Sequence, residues 1–187
     1  MNYHTGQIVP NAFTVGLAGG NFAIYATSGT HFLIDVVGYY SLSAADDGNG
    51  LGLRYNELSY PLRLLDTRPE QRACITPGTP LPATADWTIG TRQPCPMTQP
   101  PFPGLPAGAV ALVGNATVDN SGVRAGDGYI TLYPDDVGWP TASNLNYTVG
   151  QIVANAFVVG LGGDGGFNIH AYTGPHFIVD YIGYFAP

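Results

Sequence analysis

Residues 176–185 have the sequence HFIVDYIGYF, and residues 31–40 carry an earlier version of it, HFLIDVVGYY. In both, apolar side chains recur at every second position, as at Phe177 and Val179 in the later copy and at Phe32 and Ile34 in the earlier one. This period of two is typical of a β-strand, whose successive side chains point to opposite faces of a sheet. Large side chains fill the alternate positions too, so we predict strands that lie inside a sandwich or at a subunit contact.

The two stretches belong to a longer internal repeat. GQIVPNAF from Gly6 returns as GQIVANAF from Gly150, 144 residues later, and a one-residue insertion follows in the second copy. Such a period is too long for a solenoid and fits a whole β domain. We therefore predict that residues 1–41 are the carboxy-terminal part of a preceding module with three strands, residues 42–61 a Gly-rich linker and residues 62–187 a complete module.

The composition predicts many short strands joined by turns. The chain of 187 residues contains 26 Gly and 16 Pro, spread without a three-residue period, and no long amphipathic helix pattern is found. The predicted fold is therefore all-β, an antiparallel, jelly-roll-like β-sandwich with a partial second copy of itself.

Several motifs in this order resemble the tandem "LDTR" modules of secreted and surface proteins of actinobacteria, chloroflexi and related bacteria. The resemblance covers residues 62–187 and, in part, residues 1–41. It rests on LLDTR (64–68), LPAGAV (105–110), GYITLYP (128–134), ASNLNY (142–147), GQ (150–151) and DYIGYF (180–185). It implies an extracellular or cell-surface location and modules strung in series, and it assigns no catalytic residues.

Charge and motif content exclude several functions. Thirteen acidic residues face six basic ones, all Arg, for a net charge of −7, so nucleic-acid binding is not expected. No apolar run is long enough for membrane insertion. Neither a nucleophile elbow nor a zinc-protease or phosphate-binding motif is present, so we predict no enzyme activity and no cofactor. Edge strands often carry Lys as a guard against pairing, and this chain has none.

Cys74 and Cys95 lie in a Pro- and Thr-rich loop without further Cys or clustered His for a zinc site. We predict a single disulfide between them, formed outside the cytosol.

Asp66 and Arg68 of the LDTR motif lie two positions apart and face the same way on a strand. We predict a structural anchor, with recognition of an anionic ligand by Arg68 as the alternative.

A His and an Asp recur four positions apart, at His31 and Asp35 and at His176 and Asp180. Four positions of a strand span about 13 Å, so neither pair can chelate one ion. We predict hydrogen-bonding or module-stacking roles and no metal site. Calcium has two weak candidates, the loop at 46–50 and the pair at 135–136, both of which turn chemistry also explains.

The function that these observations favour is an extracellular structural repeat that assembles head to tail with other copies of itself. The half module would be completed within one chain or by a neighbouring chain. The predicted assembly residues are Phe32, Ile34, Tyr39, Tyr40, Phe177, Val179, Tyr184 and Phe185. The alternative is a module that binds cell-wall polysaccharide through Trp87 and Trp139.

Overall fold

The computed structural model describes residues 3–40, 52–97, 101–122 and 125–187. These ranges contain eight strands and no helix, hence none that is long and apolar enough to cross a membrane. The strands are β1 (Arg54–Asp66), β2 (Ala85–Gly90), β3 (Ala111–Asp119), β4 (Gly128–Pro134), β5 (Leu145–Tyr147), β6 (Ile152–Gly160), β7 (Gly166–Ala171) and β8 (His176–Ala186). The prediction of an all-β fold is confirmed.

The strands pair into two antiparallel sheets of four. The first sheet has the order β1-β8-β3-β6 and the second the order β2-β7-β4-β5. Together they form a β-sandwich, as predicted. Its strand order is that of a jelly roll, a long hairpin folded over so that β1 meets β8, β2 meets β7, β3 meets β6 and β4 meets β5.

Alternate side chains of the strands build the core between the sheets. On β7, Phe167, Ile169 and Ala171 are buried against the first sheet, and on β8 Phe177 and Val179 are buried against the second. Burial of one such large apolar side chain stabilises a fold by roughly 1.5–3 kcal/mol. The sandwich therefore depends on the strand periodicity that the sequence displays.

Every ladder in the sandwich joins the first half of the module to its second half. We call β1–β4 the first half and β5–β8 the second half. The six ladders are β1–β8, β3–β8, β3–β6, β2–β7, β4–β7 and β4–β5. Because no two strands of the same half are hydrogen-bonded in the two sheets, neither half can form its part of the sandwich alone.

Residues 3–40, here called the amino-terminal segment, contain no strand; within them the structure has one isolated bridge, between Ala18 and Asn21. The three strands predicted there are thus not formed. The reason is topological: the repeat aligns the segment with the second half of the module, whose strands pair only with a first half. The first half at residues 54–134 is already paired with β5–β8.

Strand β1 starts at Arg54, inside the predicted linker and eight residues before the predicted start of the module at 62. Arg54 pairs with Ala186 and Tyr55 with Phe185. The sequence at the start of β1 is polar and lacks the apolar alternation by which a strand is recognised. Such a sequence suits an edge strand, which leaves much of its surface in water. The part of the linker prediction at 42–51 lies outside the described residues.

Gly114 on β3 sits where three strands crowd together. A Cβ at this position would overlap the carbonyl oxygen of Asp180 and approach the Phe157 ring to 2.9 Å. The ladder between β3 and β8 shifts register between Val113 and Gly114. The missing side chain therefore lets β8 lie close to β3 at this irregularity.

Candidate functional site

The LDTR motif ends strand β1, and its carboxylate is fully buried. Asp66 accepts hydrogen bonds from three groups of Arg68: the backbone N–H at 3.1 Å, Nε at 3.0 Å and Nη2 at 2.8 Å. Arg63 Nη1 donates a fourth at 3.3 Å. These contacts hold Asp66 and Arg68 together in the arrangement that a structural anchor requires.

Arg63 extends this cluster to strand β8. Its Nε and Nη2 donate to the two carboxylate oxygens of Asp180 at 2.8 and 3.0 Å. Such a bidentate fork is among the stronger polar contacts in proteins. Arg63 is not among the site residues predicted from the sequence, because its partner Asp180 lies 117 positions away.

The electrostatics of the cluster suit a structural role better than a role in proton transfer. Burial by itself would raise the pKa of Asp66, but the hydrogen bonds and charges of Arg68 and Arg63 outweigh it, and the pKa lies below its ordinary value. The hydrogen bond to Asp180 raises the pKa of Arg63, and that to Asp66 raises the pKa of Arg68. All these groups are charged at neutral pH, so the cluster fixes strands and is not tuned for proton transfer.

His176 and Asp180 contact different partners. His176 Nδ1 lies 3.1 Å from the hydroxyl oxygen of Thr67, while Asp180 is held by Arg63. In the amino-terminal segment the equivalent Asp35 accepts a hydrogen bond from the backbone N–H of Ser143 at 3.2 Å. Each repeated carboxylate therefore has its own donor, in line with the spacing argument against chelation.

Cys74 and Cys95 form a disulfide, as predicted, with Cα atoms 4.9 Å apart. The bridge joins the connection between β1 and β2 to the connection between β2 and β3. Cys95 also donates its backbone N–H to the carbonyl of Phe102 at 2.8 Å. A disulfide is consistent with an oxidising environment.

A cluster that the sequence analysis misses lies on the outer face of the second sheet. His170 Nδ1 on β7 is 2.7 Å from a carboxylate oxygen of Asp86 on β2. The Trp139 ring, from the connection between β4 and β5, stacks on the His170 ring with centroids 4.2 Å apart. Burial and the nearby Asp86 raise the pKa of Tyr133 to about 12. No repeat signal marks this cluster, because Tyr25 replaces His170 in the first copy.

The structure does not bring the two tryptophans together. Trp87 lies on the core side of β2 and packs against the hydrophobic core, whereas Trp139 stacks on the outer face of the same sheet. The predicted carbohydrate site therefore cannot use both. A second exposed aromatic on the outer side is Tyr172, which stacks on Tyr129 with centroids 5.3 Å apart.

The acidic turn beside β4 uses its carboxylates for backbone contacts. Asp136 accepts the N–H of Gly163 at 3.1 Å. Burial and the nearby charge of Asp164 raise the pKa of Asp135. In the ranges that the structure describes, no three acidic, His or Cys side chains are grouped as metal ligands. The other calcium candidate, at 46–50, lies outside these ranges.

The predicted assembly residues fall into two classes. Those of the amino-terminal segment are exposed, namely Phe32, Ile34, Tyr39 and Tyr40. Of their counterparts on β8, Tyr184 and Phe185 are partly buried. Phe177 and Val179 are fully buried between the sheets, so their assignment to assembly is corrected: they are core residues and cannot meet a second chain while the sandwich is folded.

The amino-terminal segment exposes the same residues that the module buries. Three phenylalanines illustrate this, each with its exposed fraction beside that of its repeat counterpart: Phe13 53% and Phe157 4%, Phe22 40% and Phe167 0%, Phe32 47% and Phe177 0%. The segment therefore exposes side chains whose counterparts form the hydrophobic core of the module.

Comparison with protein-family models and with curated proteins gives no match.

Proposed function

We propose that the chain is an extracellular structural repeat protein, whose modules join end to end in a filament, sheath or surface layer through the amino-terminal segment. The observation that carries the proposal is the exposure of Phe13, Phe22, Phe32 and their apolar neighbours, whose counterparts are core residues. Exposed apolar surface of this extent marks an interaction site. With roughly 1.5–3 kcal/mol for each side chain, burying six of them offers a driving force on the order of 10 kcal/mol before the cost of ordering.

Three further features support this function. The disulfide suits an extracellular protein. The absence of Lys leaves the edge strands without their common guard. The segment and the module are different surfaces, so a contact between them is heterologous, and a heterologous contact that does not close into a ring produces an open filament.

Deleting residues 1–41 should abolish association and leave the module folded. Hydrogen bonds between the segment and the module lie at exposed positions, as in Ala12 N–H to Asn155 Oδ1 at 2.9 Å and Ser143 N–H to Asp35 at 3.2 Å. The Tyr40 ring lies near Phe185. We therefore expect unfolding free energies of the two chains to agree within about 0.5 kcal/mol. Sedimentation velocity and negative-stain images over rising concentration should show elongated assemblies of the full chain and monomers of the truncated one.

Two results of this experiment count against the function. One is native-like assembly by the truncated chain. The other is a full chain that stays monomeric at the highest concentration at which it is soluble.

A second candidate function is binding of cell-wall polysaccharide on the outer face of the second sheet. It is favoured by one observation: the half-exposed rings of Trp139 and Tyr172 are each held by stacking on a neighbouring ring. Aromatic faces fixed in this way suit stacking on sugar rings.

Replacing Trp139 by alanine should weaken retention on insoluble cell-wall polysaccharide about tenfold if this face binds glycan, because one stacking contact is worth about 1.4 kcal/mol. Tyr25→Ala is the matched control, since Tyr25 is exposed but lies in the amino-terminal segment. Equal retention of wild type, Trp139→Ala and Tyr25→Ala in a pull-down series would remove the second candidate.

A further inference from the structure

The amino-terminal segment corresponds to the second half of another jelly roll, and we infer that its partner is a first half of the same module type, with strands like β1–β4. The inference rests on the proposed function. It specifies which part of a module the amino-terminal segment contacts where two modules join. It follows from three observations: the aligned burial pattern, the pairing rule of the sandwich and the number of halves in the chain.

The burial pattern aligns strand by strand. The repeat places residues 8–16 on β6, residues 21–26 on β7 and residues 31–40 on β8. Inward positions carry the same or similar residues in both copies, and all are exposed in the segment and buried in the module. The pairs are Phe13 and Phe157, Val15 and Val159, Phe22 and Phe167, Ile24 and Ile169, Phe32 and Phe177, and Ile34 and Val179.

The segment also keeps residues that match contacts of a first half in the module. Asp35 stands in the place of Asp180, which receives the bidentate fork of Arg63 from β1. Gly38 stands in the place of Gly183, where a Cβ would meet the Tyr55 ring and the backbone of β1. Nonspecific apolar attraction requires neither a carboxylate nor a glycine at these positions. A first half supplies a reason for both.

The pairing rule excludes other partners of the segment's strands in a jelly roll. Second-half strands form ladders with first-half strands and with no others in the sandwich. The described residues hold one first half, at 54–134, and two second halves, the amino-terminal segment and residues 145–187. A second copy of the chain could accept the segment only by releasing its own residues 145–187. The partner is therefore a first half whose strands are not already paired.

The test supplies such a half to the full chain. A second copy of residues 52–144 is fused before Met1, which reproduces the spacing of the module because Met1 stands in the place of Leu145. Hydrogen exchange at residues 8–16, 22–26 and 32–38 should slow at least about a hundredfold relative to the unfused chain. Exchange of β3 amides in the original module serves as the internal standard.

Two matched variants distinguish completion of a sandwich from nonspecific apolar association. Phe13 and Ile8 are similarly exposed in the segment, at 53% and 58%, but the counterpart of Ile8, Ile152, stays 62% exposed in the module. In the fused chain Phe13→Asp should abolish the gained protection, and Ile8→Asp should leave it. Equal effects of the two substitutions would overturn the inference.

A second experiment frees the chain's own first half. A chain that ends at Asn144 has only the amino-terminal segment to complete its sandwich. Because Arg54 pairs with Ala186 in the module, the end of β8 lies beside the start of β1, and the residues between 41 and 54 can join them. We expect cooperative urea unfolding for residues 1–144 and none for residues 42–144. No protection in the fused chain together with no cooperative transition here would refute the pairing.

These outcomes are separable from those of the proposed function. Slower hydrogen exchange of the segment in the fused chain, with no association of the unfused chain, would support the inferred pairing and contradict the proposed filament. Association that depends on residues 1–41, without any gain of protection in the fused chain, would uphold the filament and remove the pairing.

Discussion

Asp66→Asn should lower the unfolding free energy of the module by about 3–5 kcal/mol at pH 7. The side chain is fully buried and accepts four hydrogen bonds from Arg68 and Arg63. Asparagine keeps the shape, but it presents a donor where guanidinium donors already stand and removes the buried negative charge that pairs with Arg68 and Arg63. Asp119→Asn is the control, because Asp119 lies 3.9 Å from Arg68 and is partly exposed, and it should cost at most about 1 kcal/mol.

The pH dependence of this difference tests the electrostatic origin of the loss. The folded-state pKa of Asp66 is lowered from 3.8, so its contribution is complete above about pH 4 and disappears as the pH falls through the folded-state value. Urea unfolding of wild type and Asp66→Asn from pH 7 to pH 2 should therefore show a gap that is constant above pH 4 and narrows below it. A gap under 1 kcal/mol at pH 7 would show that the anchor does not hold the fold.

Removing the disulfide should cost the module about 3 kcal/mol. Cys74 and Cys95 are 21 positions apart, and a cross-link that closes a loop of this length stabilises mainly by restricting the unfolded chain. The double substitution Cys74→Ala and Cys95→Ala also removes a buried sulfur from the core at Cys95.

Urea unfolding with and without dithiothreitol measures the disulfide contribution directly. Reductant should lower the midpoint of the wild type and leave that of the double variant unchanged. An unchanged wild-type midpoint, with both thiols then available to alkylation, would contradict the expected stabilisation.

The sandwich could be predicted because its strands alternate and the chain repeats them. The sequence HFIVDYIGYF covers all of strand β8 except its last residue, Ala186. The predicted pairing of the two cysteines is also confirmed, although strand β2 lies between them where the sequence predicts one loop. The alternating pattern does not predict a strand correctly where the strand depends on a hydrogen-bonded partner. Residues 8–16 have the pattern of β6 but form no strand, since a strand needs hydrogen-bond partners as well as periodicity.

The candidate sites show the same division. Asp66 and Arg68 are two positions apart, so their contact is local in the sequence, although β1 ends at Asp66 and Arg68 lies just beyond it. Arg63 meets Asp180 across 117 positions, and Trp139 stacks on His170 from a loop of another strand pair. Such contacts depend on register and loop path, which are tertiary properties without a local signal in the sequence.

The nested pairing of the two halves also sets the order in which the module can fold. Its shortest-range ladder places Ile130 opposite Leu145, and its longest places Arg54 opposite Ala186, 132 positions apart. High contact order of this kind slows folding and leaves incomplete chains open to misassembly. During synthesis the first half is complete before residue 145 has been added. In that interval the amino-terminal segment has already been made, and under the inferred pairing it is a second half that β1–β4 can pair with before the later strands arrive.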